Sequence, residues 1–227
     1  MPKTILITGA SRGIGAALAI ELSKKGYNII INYLQNHDLA QQVANECRGE
    51  QCSPTQIATI HQADIRDFLQ VQNMINQIGT IDILINNAGI MQQKLFIDLT
   101  EEDWDNMFAT NTKGTFNCIK SVLPQMLSRN SGQIINITSI HGETPAACES
   151  HYSASKAAII ALTNSLSEEL KETNIKISQI PLPGVDTDMQ KKLKQDYKEM
   201  TGFEYVETQK LLTPQEAANI IISNAKL

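Results

Sequence analysis

No stretch of the 227 residues approaches eighteen uninterrupted apolar residues, roughly the length that a membrane-spanning helix needs. The opening MPKTILITGA holds only a short apolar run that ends in glycine, without the apolar core and small-residue cleavage site of a secretory signal. These absences lead to the expectation of a cytoplasmic protein with no membrane partner. There are four cysteines, Cys47, Cys52, Cys118 and Cys148, and none has CxxC spacing or a histidine pattern beside it. Reduced thiols and no metal are expected.

Positive charge is also scarce. Nineteen Lys and Arg face 24 Asp and Glu, for a net charge of −5, which argues against a nucleic-acid partner. The Lys-rich KKLKQDYK at 191–198 is interrupted by acid and reads as a solvated helix. The NIT at 136–138 lies within an apolar strand pattern, so its match to a glycosylation sequon is read as chance. No GxSxG elbow accompanies His141 or His151, which disfavours a serine hydrolase. Repeats, low-complexity tracts and linkers are missing as well, and residues 1–227 read as one domain.

What is present is an alternation. Ile-rich runs at 4–8, 28–33, 59–62, 81–86, 133–138 and 176–180 are separated by stretches of helical periodicity such as 14–26 and 37–47. Such alternation implies βαβ units and a parallel sheet, and near-continuous Ile and Leu imply strands buried on both faces. The expected fold is α/β, a Rossmann-type doubly wound parallel sheet with helices on both faces.

TGASRGIG, residues 8–15, follows the first strand and opens the first helix. Gly9 permits a tight turn, Gly13 a close approach of backbone to a pyrophosphate, and Gly15 helix–strand packing, while the helix N-terminus favours the anion. Ser11, Arg12 and Ile14 complete this loop. An acid about 20 residues beyond the glycines would bind the ribose hydroxyl of NAD. Here the second strand ends in Asn32 and Tyr33, with no acid before Asp38, and Arg12 can donate charge-assisted hydrogen bonds to a 2′-phosphate.

Tyr152 and Lys156 are four residues apart in HYSASK, residues 151–156, and on a helix they share one face. A nearby ammonium favours the phenolate, so Tyr152 reads as a general acid whose ordinary pKa of about 10 Lys156 brings down. Were the pair isolated, a packed aromatic and a surface cation would be the preferred reading, since exposed lysines are common.

The glycine spacing, NNAG at 86–89 and the Tyr152/Lys156 pair together resemble the short-chain dehydrogenase/reductase family. Over roughly residues 3–189 the chain is most similar to the 3-oxoacyl-acyl-carrier-protein reductases. The resemblance implies an NADP(H)-preferring oxidoreductase that transfers hydride between nicotinamide and a ketone or secondary alcohol, with 3-oxoacyl thioesters, carrier- or CoA-linked, as the favoured substrates. It implies Asp64 at the adenine; Asn87, Ala88 and Gly89 along the adenosine ribose side; Ser139 as the substrate-orienting hydroxyl; and Thr187 at the nicotinamide carboxamide and phosphates. Asn111 corresponds to an asparagine that anchors a water behind the lysine, and reads equally well as a helix-ending polar residue.

Two departures from the family are visible. Pro183-Gly184 stands one residue nearer to Thr187 than in the family, and residues 214–225 read as a last helix, with the family's seventh strand expected to be absent. Six strands with an open edge are therefore expected, and a homodimer through the long helices carrying Asn111 and Tyr152, the tetramer being in doubt. Residues 188–211 would form a substrate lid, in which Met189, Leu193, Met200 and Phe203 read equally well as lining for a moderately apolar substrate and as packing residues. The departures motivate an alternative, a catalytically weak NADP-binding sensor or scaffold.

Overall fold

The computed structural model describes residues 2–49, 57–207 and 209–227. Six strands, β1 (Thr4–Ile7), β2 (Asn28–Tyr33), β3 (Ala58–Gln62), β4 (Ile83–Asn86), β5 (Gly132–Ser139) and β6 (Ile175–Leu182), form one sheet. All neighbours are parallel, in the order β3-β2-β1-β4-β5-β6. β-branched isoleucine fits the pleated surface, and β1 and β2 pair in register from Thr4 with Asn28 to Ile7 with Ile31.

The helices are α1 (Gly13–Lys24), α2 (His37–Glu46), α3 (Phe68–Ile78), α4 (Glu101–Phe108), α5 (Gly114–Arg129), α6 (Ser150–Glu169), α7 (Asp188–Thr201) and α8 (Pro214–Ala225). Residues of one strand alternate between faces. Ile5, Ile7, Ile29, Ile31 and Ile85 therefore pack with α1, α2 and α8, while Leu6, Ile30, Leu84 and Ile134 pack with α3 and α5. Both faces are covered, as a parallel sheet requires.

The strand order reverses between β1 and β4, and in such sheets ligands bind beyond the carboxyl ends of the strands at that point. Gly9, Asn87 and Ser139 all lie at those ends. Among the described residues no helix is long and apolar enough to cross a membrane. Cys118 and Cys148 are free thiols, and Cys47 is buried. Cys52 lies outside the described residues.

The loop after β6 accommodates the displaced Pro183-Gly184 pair. Val185 bridges to Leu212, the Leu212 N–H donates to Gly184 at 3.0 Å, and the Asp186 N–H donates to Leu212 at 2.8 Å. Thr187 then sits at the N-cap of α7. Residues 188–211 comprise α7 and a following segment fastened by Leu212.

Candidate active site

The glycine loop is shaped by backbone that only glycine takes easily. Gly9 has φ 63° and an added Cβ would lie 2.9 Å from the Ala88 Cα; both features exclude a side chain. Gly13 has φ 58° and begins α1, which has no side-chain cap at Arg12 and no acid in its first turn. Three other helix starts are closed internally, by Asp67 on α3 and by the Thr100/Asp103 and Thr213/Glu216 boxes on α4 and α8, whereas α2, α5, α6 and α7 share with α1 the lack of a side-chain cap. The open N–H groups of α1 face a cleft of about 760 Å³ lined by Ser11, Ile14, Asn32, Tyr33, Asp64 and the Asn87–Gly89 segment among others.

Several residues expected to touch a cofactor are engaged with the protein itself. Asn32, 2% exposed, accepts from the Gly9 N–H at 3.4 Å and donates to the Ala63 carbonyl at 3.1 Å. Asn87 donates to the carbonyls of Thr8 at 2.9 Å and Gly9 at 3.3 Å. Their side chains hold the cradle in shape. Tyr33 pairs its hydroxyl with His37 Nδ1 at 2.7 Å. Asp64 is clasped by Arg66 at 2.6 Å, which holds its carboxyl below the usual carboxylate range. Arg12 makes one exposed contact, 3.4 Å to Asp188.

In an adjoining cavity, Tyr152 and Lys156 rise from the first turns of α6 and are 7% and 6% exposed. Lys156 Nζ donates to the Ile137 carbonyl at 3.1 Å and lies 5.9 Å from the Tyr152 ring centroid. Ser139 ends β5; its oxygen accepts from the His141 N–H at 3.1 Å and is in polar contact with the Tyr152 phenol. The ionisation of the pair runs against expectation. Burial pushes the Tyr152 phenol up to about 12 and pushes Lys156 down to about 8, because both charged forms lose solvation. Within the protein alone, Lys156 does not bring the phenol below its ordinary value.

Asn111 does not end a helix. It lies in a π-helical turn, Ala109–Lys113, between α4 and α5, and such turns recur at functional sites. Its amide donates to the Ile90 carbonyl and to Ser155 Oγ, both at 3.0 Å, and its oxygen accepts from the Ile90 N–H at 2.8 Å. The residue ties the loop after β4 to α6 behind Lys156. A Cβ on Gly89 would lie 3.1 Å from Asn111 Oδ1 and 3.6 Å from Lys156 Nζ.

Residues 3–198 match the short chain dehydrogenase family. This chain belongs to that family. It is 37% identical over 201 residues to the 3-oxoacyl-acyl-carrier-protein reductase FabG of Staphylococcus epidermidis, covering 88% of this chain and 82% of that protein. The oxidoreductase UcpA of Salmonella typhimurium is 40% identical over 185 residues, 78% of this chain and 67% of that one. Among solved structures, ElxO with NADP bound superimposes with a TM-score of 0.83 at 30% identity, over 99% of this chain and 92% of its own. A 3-oxoacyl-acyl-carrier-protein reductase of Brucella melitensis gives 0.84 at 26%, over 98% and 84%. The dehydrogenase is an oxidoreductase that interconverts carbonyl and alcohol groups.

The cleft of this dehydrogenase fits a dinucleotide. Its α1 N-terminus is open to an anion, and Thr187 stands where a Cβ on Gly13 would meet its Cγ2 at 3.4 Å. Thr187, Gly89 and Asn87 also line a second cavity of about 320 Å³, which holds Ser139, Tyr152 and Lys156. Ser139, Tyr152 and Lys156 thus line a small pocket that shares Asn87, Gly89 and Thr187 with the large cleft.

The small pocket is more polar than the sequence suggests. Met189 and Leu193 line it, but Met200 and Phe203 do not, and Phe203 is 73% exposed. Gln93, His141, Glu149, Tyr205 and Glu207 contribute polar groups instead. Sequence reasoning passes over Glu149 and Gln93, and also Thr8, whose oxygen accepts from the N–H groups of Asn87 and Ala88, both at 3.0 Å. A signal for Thr8 exists: it stands immediately before Gly9, at the end of the strand that feeds the loop. Glu149, three residues before Tyr152, carries no such mark.

Proposed function

We propose that this dehydrogenase is an NADPH-dependent ketone reductase whose substrates include 3-oxoacyl thioesters. The observation that carries the reading is the convergence of Ser139, Tyr152 and buried Lys156 in the small pocket, which shares Asn87, Gly89 and Thr187 with the dinucleotide cleft. Bound NADPH supplies the hydride. The chain supplies the rest. The oxygen of Ser139 accepts from His141 N–H, so its own proton is free to donate to a carbonyl oxygen. Tyr152 donates to the same oxygen and, as alkoxide character develops, transfers its proton. Lys156 stabilises the phenolate left behind by its charge, and Asn111 keeps Lys156 and the Gly89–Ile90 backbone in register.

NADP preference is supported by Arg12 at the mouth of the cleft and by the absence of an acid at Asn32 and Tyr33. It agrees with the NADP-bound state of ElxO and the NADPH-bound state of an actinorhodin polyketide ketoreductase, which matches with a TM-score of 0.87 at 26% identity. The thioester class is supported by the names of the reductase relatives. In this reading Asp64 borders the adenine, α7 and the segment to residue 211 act as a lid, and α5 and α6 form a homodimer face. A sensor or scaffold role is less well supported, since the displaced Pro183-Gly184 pair, one of the two departures that motivate it, still leaves Thr187 beside Gly13.

The test is a titration of the purified protein with NADPH and NADH, followed by the cofactor absorbance as an acetoacetyl thioester and simple ketones are added. Oxidation of NADPH by the thioester is the expected result. Oxidation only by other ketones would keep the reductase and discard the thioester class, and binding without any oxidation would overturn the reading.

A further inference from the structure

The small pocket holds an acid that proton and hydride transfer leave unused. Glu149 is the N-cap residue of α6 and is 3% exposed. Its Oε1 accepts from Gln93 Nε2 at 3.0 Å. Its Oε2 is buried without a hydrogen-bond partner among the described residues, and so is Nδ1 of His141. These two unsatisfied atoms face each other at 3.7 Å, and both residues line the pocket beside Ser139 and Tyr152.

Buried polar atoms are rarely left unpaired, and each such case calls for an explanation. The separation of 3.7 Å is too long for a direct hydrogen bond, yet one oxygen atom can sit about 2.8 Å from each side. A hydroxyl suits this gap: it donates to the carboxylate and accepts from a protonated Nδ1, which an ammonium group cannot do. The other acid of the pocket, Glu207, differs in being partly exposed and in having its Oε2 held by Gln190 at 3.2 Å and by Lys194 at 3.4 Å. Glu149 and His141 line the same pocket as Ser139 and Tyr152, and the Glu149 charge opposes ionisation of the phenol.

We infer that Glu149 and His141 form a subsite for a hydroxyl group of the substrate, so that this enzyme prefers hydroxy ketones and rejects ketones bearing a carboxylate there. The inference rests on the ketone-reductase reading and narrows it. A carboxylate in the same position would meet Glu149 as a like charge with little water to screen it.

The test compares hydroxyacetone with butanone, in which a methyl replaces the hydroxyl, and with acetoacetate, which carries a carboxylate. The same hydroxyl and methyl pair extended by one methylene covers the next position. The wild-type enzyme should favour the hydroxyl member of one pair by about tenfold or more in kcat/KM, as a hydrogen bond to a charged group allows, and should turn over acetoacetate worst. In Glu149→Leu this preference should vanish or invert, and in Glu149→Gln, which retains the shape and the Gln93 contact, it should shrink several-fold. A purely structural role for Glu149 would lower both rates together and leave their ratio unchanged, which would overturn the inference. Binding gives a readout independent of turnover: on the NADP-bound wild-type enzyme, propane diol should bind more tightly than sec-butanol. Equal affinities would overturn the subsite. If NADPH binds and no ketone is reduced, the reductase reading fails, and this binding comparison still decides whether the subsite exists.

Discussion

The Lys156 ammonium lies 5.9 Å from the centroid of the Tyr152 ring, and burial displaces the proton affinities of the two groups in opposite senses. The phenol rises to about 12, driven first by desolvation, with Ser139 opposing and Glu149 adding to the rise. The ammonium falls to about 8 by desolvation. At neutral pH the pair is therefore phenol beside ammonium. That is the state a carbonyl reduction needs at its start, with the proton still on the donor and a positive charge waiting for the phenolate.

Tyr152→Phe removes that proton and little else, because the ring is held by packing. Turnover with any ketone should fall by roughly the 10²–10⁴-fold attributed to general acid catalysis, while NADPH affinity stays within about twofold. Rates and fluorescence titration check the two halves separately. Persistent turnover would remove Tyr152 from the mechanism.

Lys156 gives a prediction about stability and pH in the protein without cofactor. Its folded pKa, about 8, lies below its unfolded value of about 10.4. Between those values the unfolded chain binds more protons than the folded one, so this group makes stability rise with pH across the window. Below about pH 8 the buried ammonium costs on the order of 3 kcal/mol relative to its solvated state. Lys156→Met should therefore be more stable than wild type at pH 7, and the difference should shrink as pH rises from about 8 towards 10. Thermal melts of both proteins along that series provide the measurement, and a pH-independent difference would refute the assigned burial cost.

Much of this architecture is legible in the residues themselves. The period of the Ile-rich runs specifies strands buried on both faces, and the six expected segments are the six strands of the sheet. TGASRGIG and Tyr152/Lys156 are readable because each motif is local: a strand–turn–helix junction in one case and one helix face in the other. What escapes is the wiring between distant segments. That Asn32 and Asn87 spend their amides on the glycine loop depends on β2 and β4 flanking β1, and no local pattern carries that. The polarity of the substrate pocket escapes for the same reason. Gln93, Glu149 and Glu207 come from three separate segments, and only the fold brings them to one cavity.

Thr8 shows how such wiring can be tested. It is 1% exposed, and its oxygen accepts from the N–H groups of Asn87 and Ala88. Thr8→Val keeps the shape and leaves both donors without that acceptor. The loss should be on the order of 2 kcal/mol in unfolding free energy, accompanied by weaker cofactor binding as Asn87 shifts against Gly9. Denaturant midpoints and NADPH titrations measure both. A change within about 0.5 kcal/mol would mean that solvent reaches these donors and that Thr8 does not organise the loop.

Arg12 separates the two cofactors. Its contact with Asp188 is 3.4 Å long with both side chains more than half exposed, and such surface pairs contribute little. Arg12→Ala should accordingly leave thermal stability within the range of ordinary surface substitutions. Its guanidinium is free to turn towards a phosphate on the adenosine ribose, where charge-assisted bidentate hydrogen bonds are strong. NADPH affinity should fall by about tenfold, equivalent to about 1.4 kcal/mol, and NADH affinity should remain within about twofold. The difference should narrow as salt is raised, since the site is exposed and screened. An equal loss for both cofactors would assign Arg12 to the pyrophosphate that they share, and NADP selectivity would then have to come from the end of β2.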